Sequence, residues 1–222
     1  MIETIDLTKE YRTDTGRIRA LDGVSITVNP GERIGVLGDN GSGKSTLIRL
    51  IGGVEMPSRG KIMRRMSVSW PLAYRGGLHP DLSGVNNLRF LSRIYDRPFD
   101  EVYAYVEEFT ELGSRLKDPV YTYSSGMRAK LSFGICFAIE FDCYLIDEII
   151  AVGDKRFRKK CREELFEKRR NRALLMVSHQ VATIQQACDK GILISQGRHV
   201  DTFDIRADYK WRQYARRAAQ DR

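Results

Sequence analysis

Short apolar runs alternate with helical periodicities along most of this chain. Strand-like runs occupy 2–7, 24–28, 33–37, 61–69, 143–146, 173–177, 191–195 and 198–203. Helical spacing begins after residue 44, extends over 84–116, runs from 124 to about 140, and returns over 181–188. Strands that alternate with helices predict a mostly parallel sheet with helices on both faces. The stretch 84–116 contains no strand pattern, and we interpret it as a helical subdomain.

Composition places the chain among globular proteins and raises a question about its charge. Of 222 residues, 42% are hydrophobic and 30% are charged, and the net charge is +8. The excess lies in two segments: 155–172 holds ten basic and three acidic residues, and 206–222 holds six and two. Such segments suit a membrane face, a protein partner or a polyanion equally well. Two solvated helix faces would carry the same pattern.

The cysteines and the apolar runs indicate in which cellular compartment the chain is expected. The four cysteines, at 136, 143, 161 and 188, form no C-x-x-C pair and no cluster with histidine at zinc spacing, so we expect buried thiols in a reducing compartment. The first residues do not form a signal peptide. No apolar run approaches the roughly 18 residues that span a bilayer. We therefore expect a soluble, cytosolic chain that reaches a membrane only through another protein.

The segment 38–46, G-D-N-G-S-G-K-S-T, carries the strongest chemical signal. It fits the phosphate-loop pattern G-x-x-x-x-G-K-[ST] at every fixed position and lies between a predicted strand and a predicted helix. Its glycines let backbone N–H groups approach phosphate oxygens, and the helix N-terminus adds partial positive charge. Lys44 can reach the β- and γ-phosphates, and Ser45 can offer its hydroxyl to Mg²⁺. A glycine-rich turn that binds nothing is the alternative. The candidate phosphate-binding residues are Gly38, Asp39, Asn40, Gly41, Ser42, Gly43, Lys44, Ser45 and Thr46.

Polar residues follow two of the buried strands, where ligands bind in α/β proteins. Asp147 and Glu148 end the strand 143–146; Asp147 can hold Mg²⁺ through its waters, and Glu148 can polarise a water for in-line attack. His179 follows the strand 173–177 at the same predicted edge and could contact a γ-phosphate, although a structural histidine is the alternative. Asp154 follows Glu148 in a glycine-containing turn.

Two further signals are weak by themselves. Tyr11 lies between the first two strands and could stack on a purine, or it could be an ordinary half-buried tyrosine. The segment 123–127, Y-S-S-G-M, opens a helix. Ser124 or Ser125 could cap that helix. Equally, the helix N-terminus could be a second anion-binding site.

Taken in order, these pieces resemble the nucleotide-binding domain of ABC transporters over nearly the whole chain. The resemblance implies an α/β fold of the P-loop NTPase type: a RecA-like, mostly parallel core with an N-terminal antiparallel β subdomain and a helical insert. Residues 1–222 would form a single ABC ATPase domain. Its core with the β subdomain would take about 1–72 and 141–205, the helical subdomain about 78–140, and a basic C-terminal helix about 204–219.

The resemblance also implies roles for the candidate residues. Tyr11 matches the adenine-stacking aromatic, the segment 38–46 matches Walker A, and Ser124, Ser125 and Gly126 match a variant of the L-S-G-G-Q signature. Asp147 matches the Walker B aspartate, Glu148 the catalytic glutamate, Asp154 the D-loop aspartate and His179 the switch histidine. One departure is large: no glutamine precedes Gln180, so the Q-loop glutamine is missing, and Ala73 stands near its expected position.

Four segments, 67–71, 79–84, 123–127 and 147–154, closely resemble the ATP-binding component of bacterial capsular polysaccharide exporters, a family related to the O-antigen and teichoic acid exporters. This implies an ATPase that uses ATP and Mg²⁺, forms a homodimer with two nucleotides between its subunits, and acts on a permease dimer in the membrane. It would be peripheral, at the cytoplasmic face of the inner membrane, and would act on the polymer only indirectly. The alternative is a soluble ABC ATPase acting on nucleic acid or ribosomes through the basic segments, although we expect no nucleic-acid partner. A phosphate-loop kinase or GTPase fits the pattern poorly.

Overall fold

The computed structural model describes residues 1–14, 16–72, 77–147, 154–178 and 180–207. In chain order the elements are β1 (Ile2–Thr13), β2 (Gly16–Val28), β3 (Arg33–Leu37), α1 (Lys44–Ile51), β4 (Arg59–Arg64), β5 (Val68–Leu72), α2 (Gly84–Ile94), α3 (Phe99–Thr110), α4 (Ser125–Ile139), β6 (Cys143–Asp147), α5 (Lys155–Arg162), β7 (Ala173–Val177), α6 (Val181–Ala187), β8 (Lys190–Ser195) and β9 (Arg198–Asp204). Short 3₁₀ turns cover Gly113–Lys117 and Val120–Thr122, and a π-helical stretch, Glu163–Lys168, continues α5.

The described residues form two compact units. The first contains 1–71, 142–147 and 171–207, and the second contains 72–141 and 154–170. The second unit thus includes α5, which our sequence analysis assigned to the core. The subdomain boundaries drawn from the sequence remain a prediction.

The first unit holds two sheets. One is antiparallel, with the strand order β2-β1-β4. The other has the order β5-β6-β7-β3-β8-β9, in which β6, β7, β3 and β8 pair in parallel and β9 is antiparallel to β8. All five residues of β3 and of β7 are buried, as expected for parallel strands that are covered on both faces. The prediction of a mostly parallel sheet is confirmed.

The second unit is helical within its described residues. Helix α4 is apolar on nearly all sides, and a helix of that kind is stable only when other elements surround it. Rings from its neighbours pack on it: the Phe109 centroid lies 5.4 Å from the centroid of Phe137, and that of Phe157 lies 6.0 Å from the centroid of Phe133. Phe157 belongs to α5, so the basic helix is held to this unit by its apolar side.

Three further expectations concern the cysteines, the basic C-terminal segment and the membrane. All four cysteines are buried thiols that form no disulfide, as predicted, and burial raises the pKa of the Cys143 and Cys188 thiols to about 12. The predicted C-terminal helix over about 204–219 lies mostly outside the described residues, and Asp204, at its predicted start, is instead the last residue of β9. Among the described helices, none has the length and apolar character needed to cross a membrane.

Candidate functional site

The phosphate loop joins the end of β3 to the start of α1, as the sequence predicts. Gly43 is the N-cap of α1, with φ at 103°, and no side chain caps the helix among the described residues. An anion at this helix end therefore meets no competition from a capping side chain of the described residues. A Cβ at Gly38 would lie 2.0 Å from the Ile194 carbonyl oxygen, and a Cβ at Gly43 would lie 2.4 Å from the Ala20 oxygen. The chain itself thus requires glycine at both positions.

Two side chains of the loop are directed inward. The Lys44 ammonium donates hydrogen bonds to the carbonyl oxygens of Gly38, at 2.8 Å, and Asp39, at 2.7 Å, so the side chain folds over the loop. The Ser42 hydroxyl is buried and finds no hydrogen-bond partner among the described residues. A buried hydroxyl without a partner fits a site in which a bound ligand supplies that partner.

Ser45 and Asp147 come together although they lie far apart in the sequence. The Ser45 hydroxyl, in the first turn of α1, donates to Asp147 Oδ1 at 2.9 Å, and Asp147 is the last residue of β6. Both side chains are partly exposed. A hydroxyl and a carboxylate at a phosphate site are the oxygen ligands that Mg²⁺ prefers, so the pair fits that ion.

Tyr11 lies on β1, and its phenol is tied to a residue that the sequence analysis did not single out. The Tyr11 hydroxyl donates to Glu55 Oε2 at 2.6 Å. Partial burial, and then this hydrogen bond, raise the pKa of Tyr11, so the phenol remains a protonated donor. The Lys9 ammonium lies 5.1 Å from the centroid of the ring.

The turn between β8 and β9 supports the loop through its backbone. The Gly197 N–H donates to the Ser42 carbonyl at 3.0 Å, and the Gly197 carbonyl accepts from the Asp22 N–H at 2.8 Å. Arg198 binds the Asp22 carboxylate with two nitrogens, at 2.8 and 2.6 Å. Sequence reasoning missed this support because these contacts join distant parts of the chain and leave no local pattern.

The signature segment begins α4. Ser124 is the N-cap, and its hydroxyl accepts from the Met127 N–H at 3.2 Å, so the capping alternative is confirmed. Ser125 is exposed in the first turn. A Cβ added at Gly126 would meet the Ser124 hydroxyl at 3.9 Å, an ordinary contact distance. The anion-binding role of this helix end stays a prediction.

Of the remaining candidates, one lies within the described residues. The Asp154 carboxylate caps α5 by accepting from the Phe157 N–H at 2.9 Å, and this hydrogen bond lowers the pKa of Asp154. Lys130 of α4 lies 3.5 Å from the same carboxylate. Glu148, His179 and Ala73 lie outside the described residues.

Comparisons with known proteins agree with this geometry. The family model for ABC transporters matches residues 21–151. The capsule polysaccharide export ATP-binding protein CtrD of Neisseria meningitidis serogroup B is 49% identical over 211 residues, which cover 95% of this chain and 98% of CtrD. The ATP-binding protein BexA of Haemophilus influenzae is 47% identical, covering 94% of this chain and 97% of BexA.

The chain belongs to the ABC transporter family.

The family match confirms the resemblance to ABC transporters, and the 49% identity to CtrD confirms the narrower resemblance to the capsule export group. The chain is thus an ABC ATPase, which binds and hydrolyses ATP.

Among solved structures, the dimeric post-hydrolysis state of the ATP-binding cassette MJ0796 bound to ADP and phosphate superimposes with a TM-score of 0.76 at 18% identity, covering 94% of this chain and all of the cassette. At that identity the likeness speaks for the fold alone, and it confirms the predicted fold class. The nucleic-acid alternative finds no support in these comparisons.

Proposed function

We propose that this ABC ATPase is the subunit that drives export of a capsular polysaccharide across the bacterial inner membrane. The observation that carries the proposal is the 2.9 Å contact between Ser45 and Asp147 beside the phosphate loop, in a chain that aligns over nearly its full length with capsule export ATP-binding proteins. The Ser45–Asp147 contact supports a Mg²⁺-dependent nucleotide site. The alignment supports polysaccharide export as the process that ATP hydrolysis drives.

The loop residues bind the triphosphate of ATP. N–H groups of the loop and of the first turn of α1 face its oxygens, the Ser42 hydroxyl gains a partner, and the Lys44 ammonium exchanges carbonyl oxygens for phosphate oxygens. Tyr11 stacks on the adenine. Ser45 and Asp147 would hold Mg²⁺, which when bound neutralises charge on the phosphates. Glu148 orients the attacking water and accepts its proton, and His179 contacts the γ-phosphate.

A second copy of the chain completes each site. Neither its backbone nor its neighbours require a glycine at Gly126, where a Cβ would have room. A glycine that the chain itself does not require leaves room for another molecule to approach the backbone closely. We therefore assign residues 124–126 of one copy to the γ-phosphate bound by the other, in a head-to-tail homodimer.

The membrane passage belongs to a permease. CtrD is by name an export ATP-binding protein, and no described helix of this chain could span a bilayer. The ATPase dimer would act on a permease dimer from the cytoplasmic face of the inner membrane. Closure on ATP and opening after hydrolysis would drive that partner, so the polymer is moved without touching this subunit.

Restoration of export in cells tests the proposal. In a capsulated strain that lacks its own copy, the wild-type chain should restore polymer to the cell surface. Lys44→Ala should leave the polymer inside the cell, whereas Lys61→Ala, at an exposed lysine of β4, should restore export. Purified Glu148→Gln should accumulate as an ATP-bound dimer with almost no turnover. Export driven by the Lys44 variant, or rapid hydrolysis by the Glu148 variant, would contradict the proposal.

A further inference from the structure

The proposed function places the adenine of ATP on the ring of Tyr11, and the following inference rests on that placement. We infer that Glu55 is a positioning residue for the nucleotide base: it holds the ring of Tyr11 and links it to α1, the helix that follows the phosphate loop. The base platform and the triphosphate site would then be kept at a set separation. This inference rests on contacts within the first unit.

The carboxylate of Glu55 divides its two oxygens between two elements. Oε2 accepts the Tyr11 hydroxyl of β1 at 2.6 Å, and Oε1 lies 3.0 Å from Arg49 Nε of α1. Arg49 also donates to the hydroxyl of Thr46, at 3.4 Å, and Thr46 is the last residue of the phosphate-loop segment. A single side chain thus connects the aromatic ring to the helix that begins at Lys44.

Lys9 restricts which face of the ring a base can use. Its ammonium lies 5.1 Å from the Tyr11 centroid and 3.4 Å from Glu55 Oε2, and it donates to the Met56 carbonyl at 2.8 Å. A cation over one face of the ring is attracted by the π electrons and occupies that face. A purine must therefore stack on the opposite face, and Glu55 helps to hold both the ring and the cation.

The cluster of Lys9, Arg49 and Glu55 around Tyr11 could instead serve only to stabilise the fold. The two roles predict different effects on the affinity for ligands with a base and for ligands without one. A positioning role affects the affinity for ATP and leaves the affinity for inorganic triphosphate unchanged. A purely structural role would disturb the loop and change both affinities together.

Isothermal titration with ATP and with inorganic triphosphate separates these outcomes. We expect the wild-type chain to bind ATP more tightly, and Tyr11→Ala to remove the difference. Glu55→Ala should weaken ATP about threefold to tenfold, as expected for one lost hydrogen bond, with triphosphate unchanged. The losses from Glu55→Ala and Tyr11→Phe should not add, because both remove the same contact. The matched control is Glu107→Ala, which removes a tyrosine–glutamate hydrogen bond of 3.0 Å in the second unit and should change neither affinity.

The failures are distinguishable. If Glu55→Ala weakens both ligands equally, or weakens neither, the inference is wrong and the proposed function stands. If Tyr11→Ala keeps the full preference for ATP, the inference is likewise wrong. A wild-type chain that binds neither ligand would overturn the proposed function itself. If Glu55→Ala does not fold, Glu55→Gln, which keeps an acceptor for Tyr11 and loses the charge facing Arg49, should give a smaller loss confined to ATP.

Discussion

The N-termini of α1 and α4 carry the two glycine-containing motifs of this ATPase, and the chain treats them differently. At α1 the cap is a glycine, and a Cβ at Gly38 or Gly43 would collide with a backbone oxygen of the same chain. At α4 the cap is Ser124, whose own hydroxyl satisfies an N–H of the first turn, and Gly126 has open space where its Cβ would be.

Under the proposed function, this difference separates a site that one chain builds by itself from a surface that contacts a second copy. Gly38 and Gly43 of the phosphate loop are explained by contacts that the single chain already makes. Gly126 has no such contact, so the proposal explains its small size by the approach of a second copy of the chain. Substitutions at the N-terminus of α1 should therefore impair nucleotide binding by the single chain, whereas substitutions at the N-terminus of α4 should impair turnover.

Gly38→Ala should produce the largest effect. A methyl group 2.0 Å from the Ile194 oxygen, on a residue with φ at 139°, forces the loop to move and misplaces several N–H donors at once. Because each lost donor costs a few-fold in affinity, ATP binding measured by titration should weaken by at least about a hundredfold. Gly113→Ala is the control, since that glycine also has positive φ, at 54°, and open space around it. An affinity of Gly38→Ala within threefold of wild type would show that the loop does not need its observed path.

Gly126→Ala should leave the monomer intact and impair only turnover. The added methyl meets the nearest described atom at 3.9 Å, so the ATP affinity of the single chain should match wild type. The melting temperature should equal or slightly exceed that of wild type, because alanine favours a helix more than glycine does. Between two copies the same methyl would displace the donors from the γ-phosphate, and kcat should fall about tenfold to a hundredfold. Full turnover, or weakened ATP binding by the monomer, would remove the distinction between the two helix ends.

Ser124→Ala should give the smallest effect of the three substitutions, and it should appear as a loss of stability. Loss of the cap should lower the free energy of unfolding by about 1 kcal/mol in urea titrations. Ser83→Ala is a matched control, because Ser83 caps α2 through the Asn86 N–H at 3.1 Å. Both variants should lose similar stability, and only Ser124→Ala should also lose turnover. Equal turnover in the two variants would reduce Ser124 to a cap alone.

Local signals predicted the parts of the site that are continuous in sequence. The phosphate loop, the serine that begins α4 and the carboxylate that ends β6 each follow from residues within a few positions of one another. Such signals work because caps, glycine turns and strand ends depend on the local backbone.

Contacts between distant segments could not be predicted in this way. The Gly197 turn under the phosphate loop and the Glu55 partner of Tyr11 depend on how β9 and β4 pair in their sheets, and a pairing of this kind has no local pattern. The capping role of Asp154 is of a different kind, because an aspartate that precedes a helix is an ordinary N-cap and the sequence alone can predict it. The family resemblance implied only a D-loop role for Asp154.

Cross-linking between copies tests the central claim most directly. One chain would carry Asn40→Cys in the phosphate loop and a second, differently tagged chain Ser125→Cys, both in the Glu148→Gln background; both positions are exposed, and the four native cysteines are buried. With a short bismaleimide, we predict a covalent heterodimer that forms with ATP and is absent without it, and no such product from either variant alone. A cross-link that ignores ATP, or one that forms within a single chain carrying both cysteines, would contradict closure of each nucleotide site by a second copy.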